Sequence, residues 1–137
     1  MPSMFILPHP LRAQLVAEAR AAFPGECCGL IEGTMQGEKV RAVALHAIAN
    51  IGSTPDSFEI DPAAHINLLR TLRGTGRGIV GCYHSHTNGR PEPSERDREC
   101  GGDEGFVWLI AALDGAAGPV ELTAFEATSF RPFLLAS

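Results

Sequence analysis

Apolar positions recur at helical spacing in two stretches of the 137-residue chain. The first stretch follows a proline suited to a first turn. It predicts a helix from about Pro10 to Ala22 that ends at Pro24-Gly25. The second helix is predicted to begin at Asp61-Pro62, where the aspartate caps the helix and the proline takes its first position. The apolar face of this second helix is predicted to combine Ile66, Leu69 and Leu72.

Short apolar stretches bounded by glycine, proline and polar turns predict the strands. They cover residues 27–33, 39–50, 78–83, 106–113, 120–126 and, near the end, 130–135. Residues 52–56 are predicted as a loop, and Ser94–Cys100 as a short helix closed by Gly101-Gly102. Strands and helices are intermixed, which predicts an α/β (mixed α+β) fold with one sheet and a single domain over residues 1–137.

Composition limits the functions that are open to the chain. Hydrophobic residues make up 45% and charged residues 20%, which is ordinary usage for a globular domain. The formal net charge of −5 disfavours nucleic-acid binding, which depends on a basic surface. No stretch reaches the roughly 20 apolar residues of a membrane span, and the N-terminus lacks the basic start of a signal peptide. The cysteines have no disulfide-framework spacing, so we expect reduced thiols and a cytoplasmic location.

The segment from His84 to Asp97 carries the strongest chemical signal in the chain. His84 and His86 continue an apolar, β-forming segment, and residues two apart on a strand project to the same side. Two imidazoles and a carboxylate are the protein ligands of a hydrolytic zinc site, which keeps its fourth position open. We therefore predict one Zn²⁺ per chain, held by His84, His86 and Asp97. A lone His-x-His pair without the carboxylate would more often be structural.

Ser94 and Asp97 also allow a purely structural interpretation. The run Ser94-Glu95-Arg96-Asp97 fits a capping box, in which the serine caps a helix and an acidic residue returns the hydrogen bond from the third helical position. The two interpretations are compatible, because a serine that begins the helix also decides where Asp97 turns.

The spacing of these residues resembles the signature of the JAMM metalloproteases, the catalytically competent MPN domains. That signature is an upstream glutamate followed by His-x-His, seven residues, Ser, two residues and Asp, and the match here is complete. The upstream candidate is Glu26, in a segment similar to the family's first strand, and residues 57–62 are similar to the start of the family's second helix. One departure is Thr87, where the family usually has proline. The resemblance covers nearly the whole chain.

This resemblance implies a fold, an activity and a substrate. The fold is a strongly curved mixed sheet with flanking helices, similar in outline to cytidine deaminases. The activity is zinc-dependent hydrolysis of a peptide or isopeptide bond, with Glu26 as general base and acid and Ser94 steadying the oxyanion. The apolar neighbours of Glu26 predict a raised pKa for its carboxyl group. The implied substrate is a ubiquitin-like or sulfur-carrier protein that is cut after its Gly-Gly tail.

Two other functions are open at this point. A non-catalytic MPN module would only bind a partner, but such modules typically lack a ligand or the glutamate, and this chain keeps them all. A zinc deaminase would need His-x-Glu and a later Pro-Cys-x-x-Cys, yet His86 stands where that glutamate would be. The cysteines at 28 and 82 are predicted to be small buried side chains rather than ligands, and Cys100 a packed thiol.

Overall fold

The computed structural model describes residues 2–52, 54 and 58–137. Seven strands and three helices lie in this described part, in the order β1 (Met4–Ile6), α1 (His9–Ala22), β2 (Cys28–Gln36), β3 (Lys39–Ile48), α2 (Pro62–Leu72), β4 (Gly78–His86), α3 (Glu95–Cys100), β5 (Val107–Ala112), β6 (Glu121–Glu126) and β7 (Leu134–Ala136). Most of the loop predicted at 52–56, and Ser57 of the family-like segment, lie outside the described residues. None of the described helices is long and apolar enough to cross a membrane.

The strands form one sheet in the order β6-β5-β4-β2-β3-β1-β7. The pairs β2–β3, β2–β4 and β5–β6 are antiparallel, whereas β4–β5, β1–β3 and β1–β7 are parallel. The predicted mixed sheet with flanking helices is therefore confirmed. β4 lies near the middle of the sheet, paired with β2 on one side and with β5 on the other.

Two short strands at the ends of the chain differ from the prediction. β1 was not predicted, because three residues are too few to show a period of two, and this strand depends on parallel pairing with β3 and β7. The last strand begins at Leu134 rather than Phe130. Phe130 has a positive φ of 56° and donates its N–H to the Glu126 carbonyl, so it belongs to a turn.

The two longer helices cover opposite faces of the sheet. Leu15 of α1 packs in the core that contains Tyr83 of β4. Leu68 and Leu72 of α2 pack in a second cluster, against Cys82 of the same strand. Because adjacent residues of a strand face opposite sides, α1 and α2 must lie on different faces.

α2 turns a different set of residues toward the sheet from the one that its apolar spacing predicted. Leu72 is buried as expected, but its partner is Leu68, while Ile66 and Leu69 are 49% and 50% exposed. Leu68 and Leu72 are one helical turn apart and both pack in the cluster around Leu30 of β2. A helix with several neighbouring apolar residues does not reveal, without the sheet, which of them faces inward.

The register of the central strands sets the position of the candidate site. His84 pairs with Cys28 of β2 and with Ile110 of β5, and Ile110 pairs in turn with Thr123 of β6. These four residues form one row across the sheet. His84 shares its face with Cys82, so the row lies on the side that α2 covers.

Candidate metal centre

The three predicted metal ligands come together at the end of β4. His84 Nε2 lies 3.0 Å from His86 Nε2 and 3.2 Å from Asp97 Oδ1, and His86 Nε2 lies 2.9 Å from Asp97 Oδ2. All three side chains are buried, and one ligand atom from each lies within 4.8 Å of the other two. The prediction that both histidines project to the same side is confirmed. The nitrogen and oxygen donors converge on a common point, as a shared cation requires.

The short helix α3 brings Asp97 to the two histidines. The Ser94 N–H donates to Asp97 Oδ2 at 2.8 Å, and the Asp97 N–H donates to Ser94 Oγ at 3.0 Å. This reciprocal pair is the predicted capping box. Asp97 is the buried residue of α3, and it both caps the helix and faces the imidazoles, so the two interpretations of the sequence are compatible.

The two histidines are held in different ways. His86 Nδ1 donates to the Arg90 carbonyl at 2.8 Å, which leaves the lone pair of Nε2 directed at the centre of the site. The His84 ring is stacked on Phe58 at 4.2 Å and meets the edge of Trp108 at 5.3 Å. No residue in the described chain accepts or donates a hydrogen bond at His84 Nδ1. His84 is therefore oriented by aromatic packing, and His86 by a hydrogen bond.

Sequence reasoning assigned no role to the residues that hold these rings. Phe58 lies in the family-like segment, and Arg90 lies within the motif spacing, but neither was proposed as a contact of a ligand. Trp108 was only one residue of a predicted strand. Its place beside His84 follows from the parallel register of β4 and β5, which pairs Trp108 with Cys82. The register was not readable from the pattern of either strand alone.

Burial and charge set the protonation states of the three ligands. Burial lowers the pKa of His84, and the Asp97 carboxylate offsets this only in part. Burial also lowers the pKa of His86, but the Asp97 carboxylate and the Arg90 carbonyl outweigh it, so that this pKa is raised. For Asp97 the burial acts to raise the pKa, and hydrogen bonds from the two histidines outweigh it and hold the pKa well below its usual range. The carboxylate is thus ionised and His84 neutral, which are the forms that bind a metal.

Glu26 lies beside this centre, two residues before β2. The Ser85 N–H donates to the Cys27 carbonyl at 3.1 Å, which extends the β2–β4 pairing and carries Glu26 alongside His86. Glu26 is only 9% exposed, and its charge is close enough to contribute to the raised pKa of His86. Glu26, His86 and Ser94 line the same cleft, of about 970 Å³. The two residues predicted to be catalytic therefore share a cleft with two of the three predicted metal ligands, His86 and Asp97.

A protein-family model described as prokaryotic homologs of the JAB domain matches residues 8–127. The chain belongs to this family. The sequence-based resemblance to JAMM and MPN domains is thereby confirmed. A crystal structure of a JAB1/MPN domain protein from Archaeoglobus fulgidus has the same fold, with a TM-score of 0.61 at 14% identity over 98% of this chain and 99% of the other.

Two curated relatives of this JAB-domain protein are desampylases. The one from Haloferax volcanii is 35% identical over 104 residues, which cover 75% of this chain and 73% of the relative. The one from Pyrococcus furiosus is 31% identical over 114 residues, which cover 82% and 77%. A solution structure of a protein from Desulfitobacterium hafniense superimposes with a TM-score of 0.81 at 25% identity, over 96% of this chain and 91% of the other.

The loop that begins at Thr87, where the family usually has proline, forms one wall of the cleft. The Leu113 N–H donates to the His86 carbonyl at 2.9 Å, and the Gly89 N–H donates to the Leu113 carbonyl at 3.0 Å. The Arg90 N–H donates to Asn88 Oδ1 at 3.0 Å. Backbone hydrogen bonds to Leu113, the residue after β5, thus hold the beginning of the loop, although position 87 is threonine rather than proline.

The cysteines of this JAB-domain protein are partly as predicted. Cys28 is buried, and burial raises the pKa of its thiol to about 12, which fits a packing residue rather than a ligand. Cys82 is partly buried and packs between two apolar clusters. Cys100 is exposed, so the prediction of a packed thiol was wrong. α3 ends at Cys100 and buries Asp97, and the rest of this six-residue helix faces solvent.

Proposed function

We propose that this chain is a zinc-dependent metallopeptidase that hydrolyses a peptide or isopeptide bond after the Gly-Gly tail of a ubiquitin-like or sulfur-carrier protein. The observation that carries the proposal is the convergence of His84, His86 and Asp97, of which His86 and Asp97 line one cleft together with Glu26. The names of the two archaeal relatives, both desampylases, support removal of a protein modifier as the reaction. Belonging to the JAB family supports zinc as the metal.

His84, His86 and Asp97 would hold the zinc ion through two nitrogens and one carboxylate oxygen. When bound, zinc lowers the pKa of a water molecule and polarises a carbonyl group. Glu26 would act as the general base and acid, holding a proton at its carboxylate and returning it to the leaving amine, because it is the buried glutamate that lines the cleft with His86 and Asp97. The burial of Glu26 favours this proton transfer, since a buried carboxylate is less strongly solvated.

Ser94 is the proposed oxyanion-stabilising residue. Its Oγ accepts the Asp97 N–H, so its own hydroxyl proton is free for another acceptor. Ser94 is exposed and lines the cleft, which allows that proton to reach the oxygen of a substrate carbonyl as negative charge develops on it. The same hydroxyl thus begins α3 and serves the reaction.

A glycine tail suits this cleft. Glycine has no Cβ, so the backbone before the cleaved bond can approach Phe58 and His86 closely. We further propose one domain over residues 1–137, since a single sheet contains strands from both ends of the chain. A cytoplasmic location is part of the proposal, supported by four cysteines that all lie in the structure as free thiols.

The test is a paired measurement of zinc content and turnover. We expect about one zinc per chain in the wild type and in Glu26→Gln, and none in His84→Ala. The substrate is a ubiquitin-like protein fused through its Gly-Gly tail to a reporter peptide. Glu26→Gln should lower kcat by about 10²–10⁴-fold, because general acid–base catalysis typically accelerates a reaction by that factor and glutamine cannot take up the proton.

The matched control is Glu121→Gln, which changes an exposed glutamate of β6 in the same way. Its kcat and zinc content should equal those of the wild type. A Glu26→Gln variant that cleaved the fusion at the normal rate would contradict the role of Glu26. Wild-type protein that took up no zinc at neutral pH would contradict the proposed function as a whole.

A further inference from the structure

Thr123 contacts the wall of the cleft although it lies outside the metal-binding motif. It is on β6, at the edge of the sheet, in the same row as Ile110 and His84. Its hydroxyl donates to the Pro91 carbonyl at 2.7 Å, across 32 residues of sequence. A side chain of the edge strand therefore holds residues 87–93, the loop that lines the cleft and is called the cleft loop below.

The residue next to that contact holds a metal ligand. The Arg90 carbonyl accepts the hydrogen bond from His86 Nδ1 at 2.8 Å, and Arg90 is joined directly to Pro91. The peptide plane and the proline ring fix ω and φ, so ψ of Pro91 is the one soft backbone dihedral between the Arg90 carbonyl and the Pro91 carbonyl. Displacing the Pro91 carbonyl would therefore displace the acceptor of the His86 hydrogen bond.

We propose that Thr123 is a positioning residue that holds the Arg90-Pro91 unit against β6 and thereby orients His86 for metal binding. The inference rests on the proposed function in one respect, namely that His86 is a zinc ligand. The chain of contacts runs from the Thr123 hydroxyl to the Pro91 carbonyl, and from the Arg90 carbonyl to His86 Nδ1. In the part of the chain that the structure describes, the Thr123 hydroxyl donates to Pro91 and not to a predicted metal ligand, and Thr123 is not among the residues that line the cleft.

The test compares Thr123→Val with Thr123→Ser. Valine keeps the β-branched shape that suits a strand and removes the hydroxyl, whereas serine keeps the hydroxyl. We expect Thr123→Val to bind zinc about threefold to tenfold more weakly in competition with a chelator. This is less than the effect of removing a direct partner of a metal ligand, because Thr123 acts through one further contact. Thr123→Ser should bind zinc within about twofold of the wild type.

A second measurement does not depend on metal. In the zinc-free protein, hydrogen exchange of the Gly89 and Arg90 amides should be faster in Thr123→Val than in the wild type, since both belong to the tethered loop and are hydrogen-bonded, Gly89 to the Leu113 carbonyl and Arg90 to Asn88 Oδ1. Thr71→Val is the matched control, because it removes a hydroxyl that donates to a helix carbonyl, that of Asn67, on α2. This control should change neither quantity.

Two results would overturn the inference. Faster loop exchange with unchanged zinc affinity would mean that the tether does not orient His86. Unchanged exchange and unchanged affinity, even with a lowered melting temperature, would mean that Thr123 only stabilises the sheet edge. If instead the wild type bound no zinc, the proposed function would fall, and the exchange measurement would still decide whether Thr123 restrains the loop.

Discussion

Asp97 and Glu126 are two buried carboxylates whose surroundings differ in one decisive way. Each is 4% exposed, and each has a pKa held low by hydrogen bonds that outweigh the effect of burial. Glu126 accepts from the Gly105 N–H at 2.7 Å and from the N–H and hydroxyl groups of Thr128 and Ser129 at 2.6–2.9 Å. Every one of these partners is a donor that carries its own proton.

Asp97 has one backbone donor, the Ser94 N–H, and otherwise faces imidazole nitrogens. His86 Nδ1–H donates a hydrogen bond to the Arg90 carbonyl. In the neutral ring Nε2 is therefore an acceptor, and it lies 2.9 Å from a carboxylate oxygen of Asp97. Two acceptors at this distance need a proton or a cation between them. Glu126 accepts only from donors that cannot bind a metal, whereas Asp97 faces two imidazole nitrogens that can bind a cation together with it.

The largest expected effect separates these two carboxylates by function. Asp97→Ala should lower zinc affinity at least about 100-fold, beyond the effect of losing a partner of a ligand, and reduce cleavage of the Gly-Gly fusion to background. Glu126→Ala should keep zinc affinity within about twofold, because Glu126 is neither a predicted metal ligand nor a hydrogen-bond partner of one. Chelator competition and turnover measure both variants. Equal losses of zinc in the two variants would remove the distinction.

A smaller effect concerns stability. Glu126→Gln should lower the free energy of unfolding by about 1–3 kcal/mol near neutral pH, because buried donors lose a charged acceptor. The pKa of Glu126 is about 2 in the fold, against an ordinary 4.5. A lowered pKa stabilises the fold fully above the ordinary value, and the contribution is lost as pH falls toward the lowered one. Hence the difference between wild type and Glu126→Gln should shrink from pH 5 to pH 2 in urea unfolding of zinc-free protein.

The control for that series is Glu121→Gln, an exposed change on the same strand, which should leave the unfolding free energy nearly constant. A difference between wild type and Glu126→Gln that stayed constant between pH 5 and pH 2 would show that the charge of Glu126 does not stabilise the fold.

The smallest expected effect concerns protons released on zinc binding. The pKa of Asp97 is held well below its ordinary value and the pKa of His84 is lowered, so both groups are in the form that binds a metal near neutral pH. His86 has a pKa raised above its ordinary 6.5 and must lose its proton first. Zinc affinity should therefore fall about tenfold for each pH unit below the pKa of His86, which corresponds to one proton. A plot of the logarithm of zinc affinity against pH with a slope of two just below the pKa of His86 would show that His84 takes up a proton together with His86.

Much of the site was predictable because its key contacts are local. The capping box of Ser94 and Asp97 joins residues three apart, and His84 and His86 are two apart on one strand. Local geometry of this kind follows from the periods of strand and helix. The helix bounds and most strands were predicted for the same reason. The errors at the inward face of α2 and at Cys100 concern which side of an element meets the rest of the chain. The errors at β1 and at the start of β7 concern strands of three residues, which are too short to show a period of two.

The sequence by itself determined most of the elements, the candidate ligand set, and the family to which the chain belongs, since each depends on residue types at fixed short spacing. Only the tertiary structure decided that Glu26 lies alongside His86, that Phe58 and Trp108 enclose His84, and that Thr123 restrains the cleft loop. The physical reason is register. A strand's own residues specify its alternation of buried and exposed side chains. Which strand it pairs with, and in which register, depends on burying the apolar side chains of the whole sheet together.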